Sequence, residues 1–159
     1  MAATEDEQVG IPPLLRAARG SYGNAIRSEL AAAGFDDLPR SSAYVLGGMV
    51  NHGGSAGQLV RQLGVSKQAA SQLIDTLVIR GYLQRSVDPE DRRRIAIEVT
   101  ERGRAAALAI SKGIQKVDAE LAGLISAEQM EGLRSGLIAL CSIRERMEGE
   151  RRGEAPPTP

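Results

Sequence analysis

Aromatic residues are scarce in this 159-residue chain, which has one Phe, three Tyr and no Trp. Single-stranded nucleic acids are gripped largely by stacking bases on aromatic platforms, so the scarcity argues against that mode of binding. There is one histidine, His52, and one cysteine, Cys141. That is too few for a Cys/His zinc tetrad within one chain. It also excludes an intrachain disulfide, which fits a reducing, cytoplasmic setting. The histidine has no nucleophile-elbow sequence beside it and no paired catalytic motif occurs, so the sequence reads as a non-enzyme with no metal and no cofactor. No run approaches the roughly 18 apolar residues of a membrane span. The acidic start, Met1 to Glu7, lacks the apolar core of a secretory signal. The 20 basic residues, all but three of them Arg, are balanced by 20 acidic ones. Bulk charge therefore gives no argument for nucleic acid, and any such argument must rest on local clustering.

The length fits one domain, at roughly 100–200 residues per domain. Residues 1–10 read as a flexible, acidic N-terminus. From Ile11, apolar residues recur at three or four positions (Leu15, Ala18, Tyr22, Ile26, Leu30, Ala33), which predicts a helix opened by Pro12-Pro13 and closed by Gly34. A second helix is expected from Pro39 to about Asn51, with Ala43, Leu46, Met49 and Val50 as its apolar members, and His52 at its end reads as a dipole-facing cap. Ser55 and Gln58 fit a capping box for a short helix through Leu63. Ser66 can cap a further helix, about 67 to 80, with Ala70, Leu73, Ile74, Leu77 and Val78 inward and Gln68, Ser71, Gln72 and Asp75 outward, stopped by Gly81. The period then changes to two. Leu83, Arg85 and Val87 form one strand and Ile95, Ile97 and Val99 its partner, joined by the charged tip Asp88-Pro89-Glu90-Asp91-Arg92-Arg93-Arg94.

Thr100 can cap a long helix whose apolar residues, from Gly103 through Ala107, Ile110, Ile114, Val117 and Leu121 to Leu124, make a heptad-like seam. Gly103, Gly113 and Gly123 each weaken that helix by about 1 kcal/mol relative to Ala, so tertiary or intersubunit packing must offset them. Ser126 to Gln129 fits another capping box before a last helix with Met130, Leu133, Leu137 and Leu140 inward. Cys141, beside that row, reads as a small buried hydrophobe. Residues 148–159, charged and then Pro-rich, read as a disordered tail.

Helix, tight turn, helix and basic hairpin in succession make a helix-turn-helix followed by a wing, a combination suited to duplex DNA. One helix fits the major groove, where each base pair shows a distinct donor/acceptor pattern. A cationic tip suits the narrow minor groove beside it. Local charge agrees. Between Arg61 and Arg94 seven basic residues face four acidic ones, a positive excess in a chain that is neutral overall.

Four segments carry a resemblance: Gly64 to Leu77, Arg80-Gly81-Tyr82-Leu83, Asp88 to Arg93, and Val99 to Gly103. With them the chain resembles the multiple-antibiotic-resistance regulator (MarR) family over about residues 12–147. The resemblance implies a mainly α fold with a small β-hairpin wing. It implies a winged helix-turn-helix lobe at about 39–100 and an α-helical dimerisation region from about 11–34 and 101–147, all within one domain spanning 11–147. It further implies a homodimer on a pseudo-palindromic double-stranded operator, usually a repressor, often released by a small aromatic or phenolic ligand. By position, Ser66 caps the recognition helix and can touch phosphate, and Lys67, Gln68, Ser71 and Gln72 face the groove. Arg85, Arg92, Arg93 and Arg94 supply the wing's positive charge, with Asp88 and Asp91 as its structural acids. Of Arg92 and Arg93, one enters the minor groove and the other is structural, and which is which stays open. Glu90 departs from members with Arg at this position, and Arg94 offsets the loss. Arg16, Tyr22, Met49 and His52 are the ligand-pocket candidates. The alternatives are a redox-responsive regulator using Cys141 and a non-specific architectural DNA-binding protein.

Overall fold

The computed structural model describes residues 9–52, 67–87 and 95–152. The elements are α1 (Ile11–Ala32), α2 (Arg40–His52), α3 (Lys67–Ile79), β1 (Leu83–Val87), β2 (Ile95–Val99), α4 (Glu101–Leu124) and α5 (Ala127–Arg152). The expected short helix at 55–63, its Ser55/Gln58 box, Ser66 and the hairpin tip from Asp88 to Arg94 lie outside the described residues. The chain forms two compact units, Met1–Val117 and Asp118–Pro159.

Two helix ends organise the first unit. Gly34 and Gly81 both have positive φ, 79° and 73°, a conformation glycine adopts without steric cost. At each, two backbone bonds close the helix. Phe35 N–H donates to the Leu30 carbonyl at 2.9 Å and Gly34 N–H to Ala31 at 3.1 Å, while Tyr82 N–H donates to Leu77 at 2.9 Å and Gly81 N–H to Val78 at 3.0 Å. This is the Schellman pattern, in which the residue after the glycine packs back on the helix. Leu30, Leu77 and Tyr82 are buried accordingly.

The core of this unit gathers Ile26 and Leu30 of α1, Leu46 and Met49 of α2, Leu77 of α3, and Ile110 of α4. α4 enters it through small residues, and Gly103, Ala106, Ala107 and Gly113 are all buried. The expected cap at Thr100 is present: the Gly103 N–H donates to its hydroxyl at 3.0 Å. β1 and β2 pair antiparallel with Leu83 opposite Val99 and Val87 opposite Ile95. One face continues the core through Leu83. On the other, Glu98 accepts from Gln84 at 3.0 Å and from Ser86 at 2.7 Å. These two hydrogen bonds, Gln84 first, hold the Glu98 carboxyl below its ordinary 4.5.

The helices extend much as their periodicity predicts, but their apolar faces are not all covered within the chain. Of the α1 seam, Ile26 and Leu30 are inside, whereas Leu15 is exposed, as are the neighbouring Ile11 and Leu14. In α5, described by itself, the capping box forms reciprocally, with Ser126 N–H donating to Gln129 at 2.8 Å and Gln129 N–H to the Ser126 hydroxyl at 3.2 Å. Its apolar row, however, is exposed in the single chain, at Leu133, Leu137 and Leu140, and Cys141 is exposed, not buried. Periodicity identifies an apolar face but not the surface that covers it. Residues 148–152, expected to open the disordered tail, continue α5 to Arg152. Glu148, Glu150, Arg151 and Arg152 are good helix formers, and together they carry the helix past Gly149.

Candidate nucleic-acid interface

Of the residues expected to read DNA, α3 carries a described set. Gln68, Ser71 and Gln72 are all exposed on α3, at spacings that put them on one helix face. The opposite face holds Ala70 and Leu77 in the interior. Lys67 begins the helix; its side chain lies outside the described residues, as do Ser66 and the wing residues Asp88, Asp91, Arg92, Arg93 and Arg94.

Arg85 of β1 is not a free wing cation. Its guanidinium forms an ion pair with Asp75 of α3, both side chains about half exposed. Such a pair contributes little stability, about 0–1 kcal/mol. Its effect is positional, because it links the strand that leads into the wing to the helix that carries the glutamines. Helix periodicity places Asp75 on the outward face, and one residue's place on a face says nothing about which strand lies across from it.

A second link, which no local sequence pattern marks, lies at the wing's base. The Tyr82 hydroxyl donates to Asp37 at 2.5 Å, in the turn between α1 and α2. Arg102, in the first turn of α4, donates to the same carboxylate oxygen at 2.8 Å. Its guanidinium carbon stands 4.7 Å from the Tyr82 ring centre and 5.7 Å from that of Phe35. The two rings meet edge to face at 6.1 Å, a favoured aromatic geometry. Phe35 and Tyr82 are the residues that follow Gly34 and Gly81, so the two glycine-closed helix ends deliver both rings to one point.

This cluster sets a pH dependence. The Tyr82 hydrogen bond, opposed by desolvation and aided by the Arg102 charge, holds the Asp37 carboxyl below its ordinary 3.8. Burial, with the Asp37 bond second, pushes the Tyr82 hydroxyl above its ordinary 10.0. A lowered carboxylate stabilises the fold above its unfolded value and loses that contribution as pH falls through the folded one. A raised phenol loses its contribution as pH climbs above about 10. Tyr82→Phe is therefore expected to cost about 1 kcal/mol at neutral pH. Wild type's advantage should shrink below pH about 4 and again above about 10. Melting temperatures of both proteins across that range check this, and a pH-independent difference would show that the hydroxyl contributes only by packing.

The first unit also has a cleft of about 800 Å³ between α1 and α2. Its lining includes the apolar and aromatic Ile26, Leu30, Phe35, Leu38 and Tyr44 and the charged Arg16, Arg19, Arg27, Arg40 and Asp36. Of the four ligand-pocket candidates, Arg16 lines this cleft. Met49 belongs to the core, Tyr22 is half-buried on α1, and His52 ends α2 with its side chain outside the described residues. The arginines at 16, 19 and 27 were legible as a helical stripe, but only Arg16 was singled out.

Comparison with known proteins agrees with this geometry. The model of the MarR family matches residues 36–94. A crystal structure of MarR is 24% identical, with a TM-score of 0.68 over 93% of this chain and 99% of that one. The MepR–DNA complex of S. aureus is 20% identical, with a TM-score of 0.68 over 85% of this chain and 98% of that one. CouR from Rhodococcus jostii RHA1, bound to p-coumaroyl-CoA, is 22% identical, with a TM-score of 0.68 over 87% and 96%. No curated protein matches the sequence. Among the described residues, no helix is long and apolar enough to cross a membrane.

Proposed function

We infer that this MarR-family winged-helix protein is a homodimeric, sequence-specific regulator of transcription, a repressor whose hold on double-stranded DNA is relaxed by a small ligand. The observation that carries the reading is the exposed Gln68, Ser71 and Gln72 face of α3, coupled through Asp75 and Arg85 to the strand that leads into the wing. A related fold, MepR, is described in complex with DNA. Two recognition helices about one helical turn apart would enter successive major grooves of a pseudo-palindromic operator, with Arg92, Arg93 and Arg94 serving the flanking minor grooves.

Dimerisation is supported by apolar surface left uncovered in one chain: Ile11, Leu14 and Leu15 on α1, and Leu133, Leu137 and Ile138 on α5. Clusters of large exposed apolar residues on one helix mark interaction sites. Ligand control is supported by the cleft. Its wall includes Phe35, whose ring touches Tyr82 at the wing's base. A ligand that shifts Phe35 would pull on Tyr82 and thereby on β1. CouR, of like fold, is described with an aromatic CoA thioester bound, which favours an aromatic effector. The protein is read as acting in the cytoplasm, without catalysis or a resident cofactor.

The test is fluorescence anisotropy on DNA from immediately upstream of the protein's own gene, with random duplex as competitor and at two salt concentrations. Specific binding should survive the competitor. Gln68→Ala and Gln72→Ala should narrow the preference for that site over random DNA by about 1–3 kcal/mol. Arg92→Ala and Arg93→Ala should instead weaken binding to all sequences and lower the salt dependence. Affinity equal for the upstream and random duplexes would favour architectural binding. Loss of site preference on oxidation, abolished by Cys141→Ser, would favour a redox switch at that exposed thiol.

A further inference from the structure

The cleft between α1 and α2 gathers positive charge in a chain whose charges balance overall. Arg16, Arg19 and Arg27 of α1 and Arg40 at the start of α2 share it with one acid, Asp36. None of these four guanidiniums has a carboxylate within ion-pair distance among the described residues, where the ion pairs are Arg85–Asp75 and Arg102–Asp37. Arg27 donates to the neutral amide of Asn24. We propose that the cleft binds an organic dianion, an aromatic or acyl body carrying a phosphate or an equivalent doubly charged group. The proposal rests on reading the cleft as the effector site, and it narrows the effector from phenols in general to doubly charged ligands.

Four features support that chemistry. Guanidinium forks match phosphate oxygens in pairs, which a neutral phenol cannot exploit. Like charges that line one cleft, with no carboxylate paired to them among the described residues, focus a positive potential into the space they share. Leu30, Phe35 and Tyr44, in the same lining, offer apolar and aromatic contact to the uncharged part of the ligand. The volume, about 800 Å³, lies within the roughly 300–1,000 Å³ of sites that take drug-sized molecules.

The test holds the ring constant and varies only charge. Full-length protein is titrated with 1-naphthol, 1-naphthoate and 1-naphthyl phosphate, followed by ligand fluorescence, with inorganic phosphate as a further competitor. Naphthyl phosphate should bind at least about tenfold more tightly than naphthoate or inorganic phosphate, with naphthol weakest and the spread shrinking in high salt. Arg19→Gln combined with Arg27→Gln should cut naphthyl phosphate affinity by about tenfold or more. The same variant should leave naphthol affinity and melting temperature unchanged. Equal affinities across the three naphthyl compounds, or for naphthyl phosphate and inorganic phosphate, would overturn the proposal, as would failure of naphthyl phosphate to bind at millimolar concentration. Three naphthyl compounds that bind equally and all release DNA would overturn the dianion proposal while leaving the aromatic-effector reading intact. Naphthyl phosphate that binds as proposed without changing affinity for the upstream DNA would support the site's chemistry and sink the effector reading.

Discussion

Gly103→Ala is expected to be among the most damaging single substitutions in this protein. A Cβ at position 103 would lie 2.1 Å from the Tyr82 carbonyl oxygen and 2.7 Å from Val99 Cγ1. The first of these is backbone, and it is already committed: the Tyr82 oxygen accepts the Thr100 N–H at 3.1 Å, beside the Thr100 hydroxyl that caps α4. No rotamer change relieves such a contact. Either α4 backs away from the wing's base or the β1 entry is distorted, and each breaks the cap or the Tyr82–Asp37–Arg102 cluster. The expected loss is more than about 3 kcal/mol, about 10 °C in melting temperature for a chain of this size. Gly123→Ala is the control. It sits on the same helix with nothing within 4 Å of its added Cβ, so it should gain up to about 1 kcal/mol from propensity alone. Thermal and urea unfolding of both variants check the pair. A Gly103→Ala protein within about 1 kcal/mol of wild type would mean that α4 does not press on the wing's base as described. Where the variant remains folded, its DNA affinity should fall too, because the β1 entry that carries Arg85 toward Asp75 has moved.

Gly113→Ala should act at the other end of the same buried face. Its added Cβ would meet Ile26 Cα at 2.7 Å, Ile26 N at 2.8 Å and the Ala25 carbonyl carbon at 3.0 Å. All three atoms are backbone of α1, so α4 and α1 cross here at a separation only glycine permits. Relief requires α1 to shift as a body, opening the contacts of Ile26 and Leu30 with the core. A cost of about 2–3 kcal/mol is expected. Because α1 also carries Arg16, Arg19 and Arg27 into the cleft, ligand affinity there should drop by more than DNA affinity does. Calorimetric unfolding together with naphthyl phosphate titration separates the two effects. Equal losses at both sites would point to general loosening of the fold instead of a local displacement of α1.

Much of the architecture is legible in the residues because it follows from short-range rules. The two glycines that close helices α1 and α3, the Thr100 cap, the Ser126/Gln129 box and the switch from period four to period two at Leu83 each act within a few residues. Each appears in the structure where its sequence signal lies. The outward polar face of α3 is legible for the same reason, since helix periodicity places Gln68, Ser71 and Gln72 opposite Ala70 and Leu77.

The interactions that join separate elements were not legible. Asp75 and Arg85 are ten residues apart, and Asp37 and Arg102 sixty-five. No local pattern marks either pair, and Arg85 read by itself is one more basic wing residue. The intrinsic cost of the α4 glycines was visible, but not which of them are essential. Gly103 and Gly113 lie against foreign backbone, whereas Gly123 lies against nothing within 4 Å. Cys141 and the α5 leucines show the same limit from the other side, because an apolar stripe does not say whether its own chain or another covers it.

By itself the sequence determined where most of the described helices and both strands begin and end, which face of each is apolar, and which polar residues α3 presents outward. These depend on dihedral preference, capping and periodicity, which act over one or two turns. Only the tertiary structure decided that Phe35, Tyr82, Asp37 and Arg102 converge at the wing's base, that four arginines share one cleft, and that two glycines are crossing points. Those outcomes depend on how rigid elements distant in sequence are brought together by burying a common core, and local residue patterns do not encode that placement.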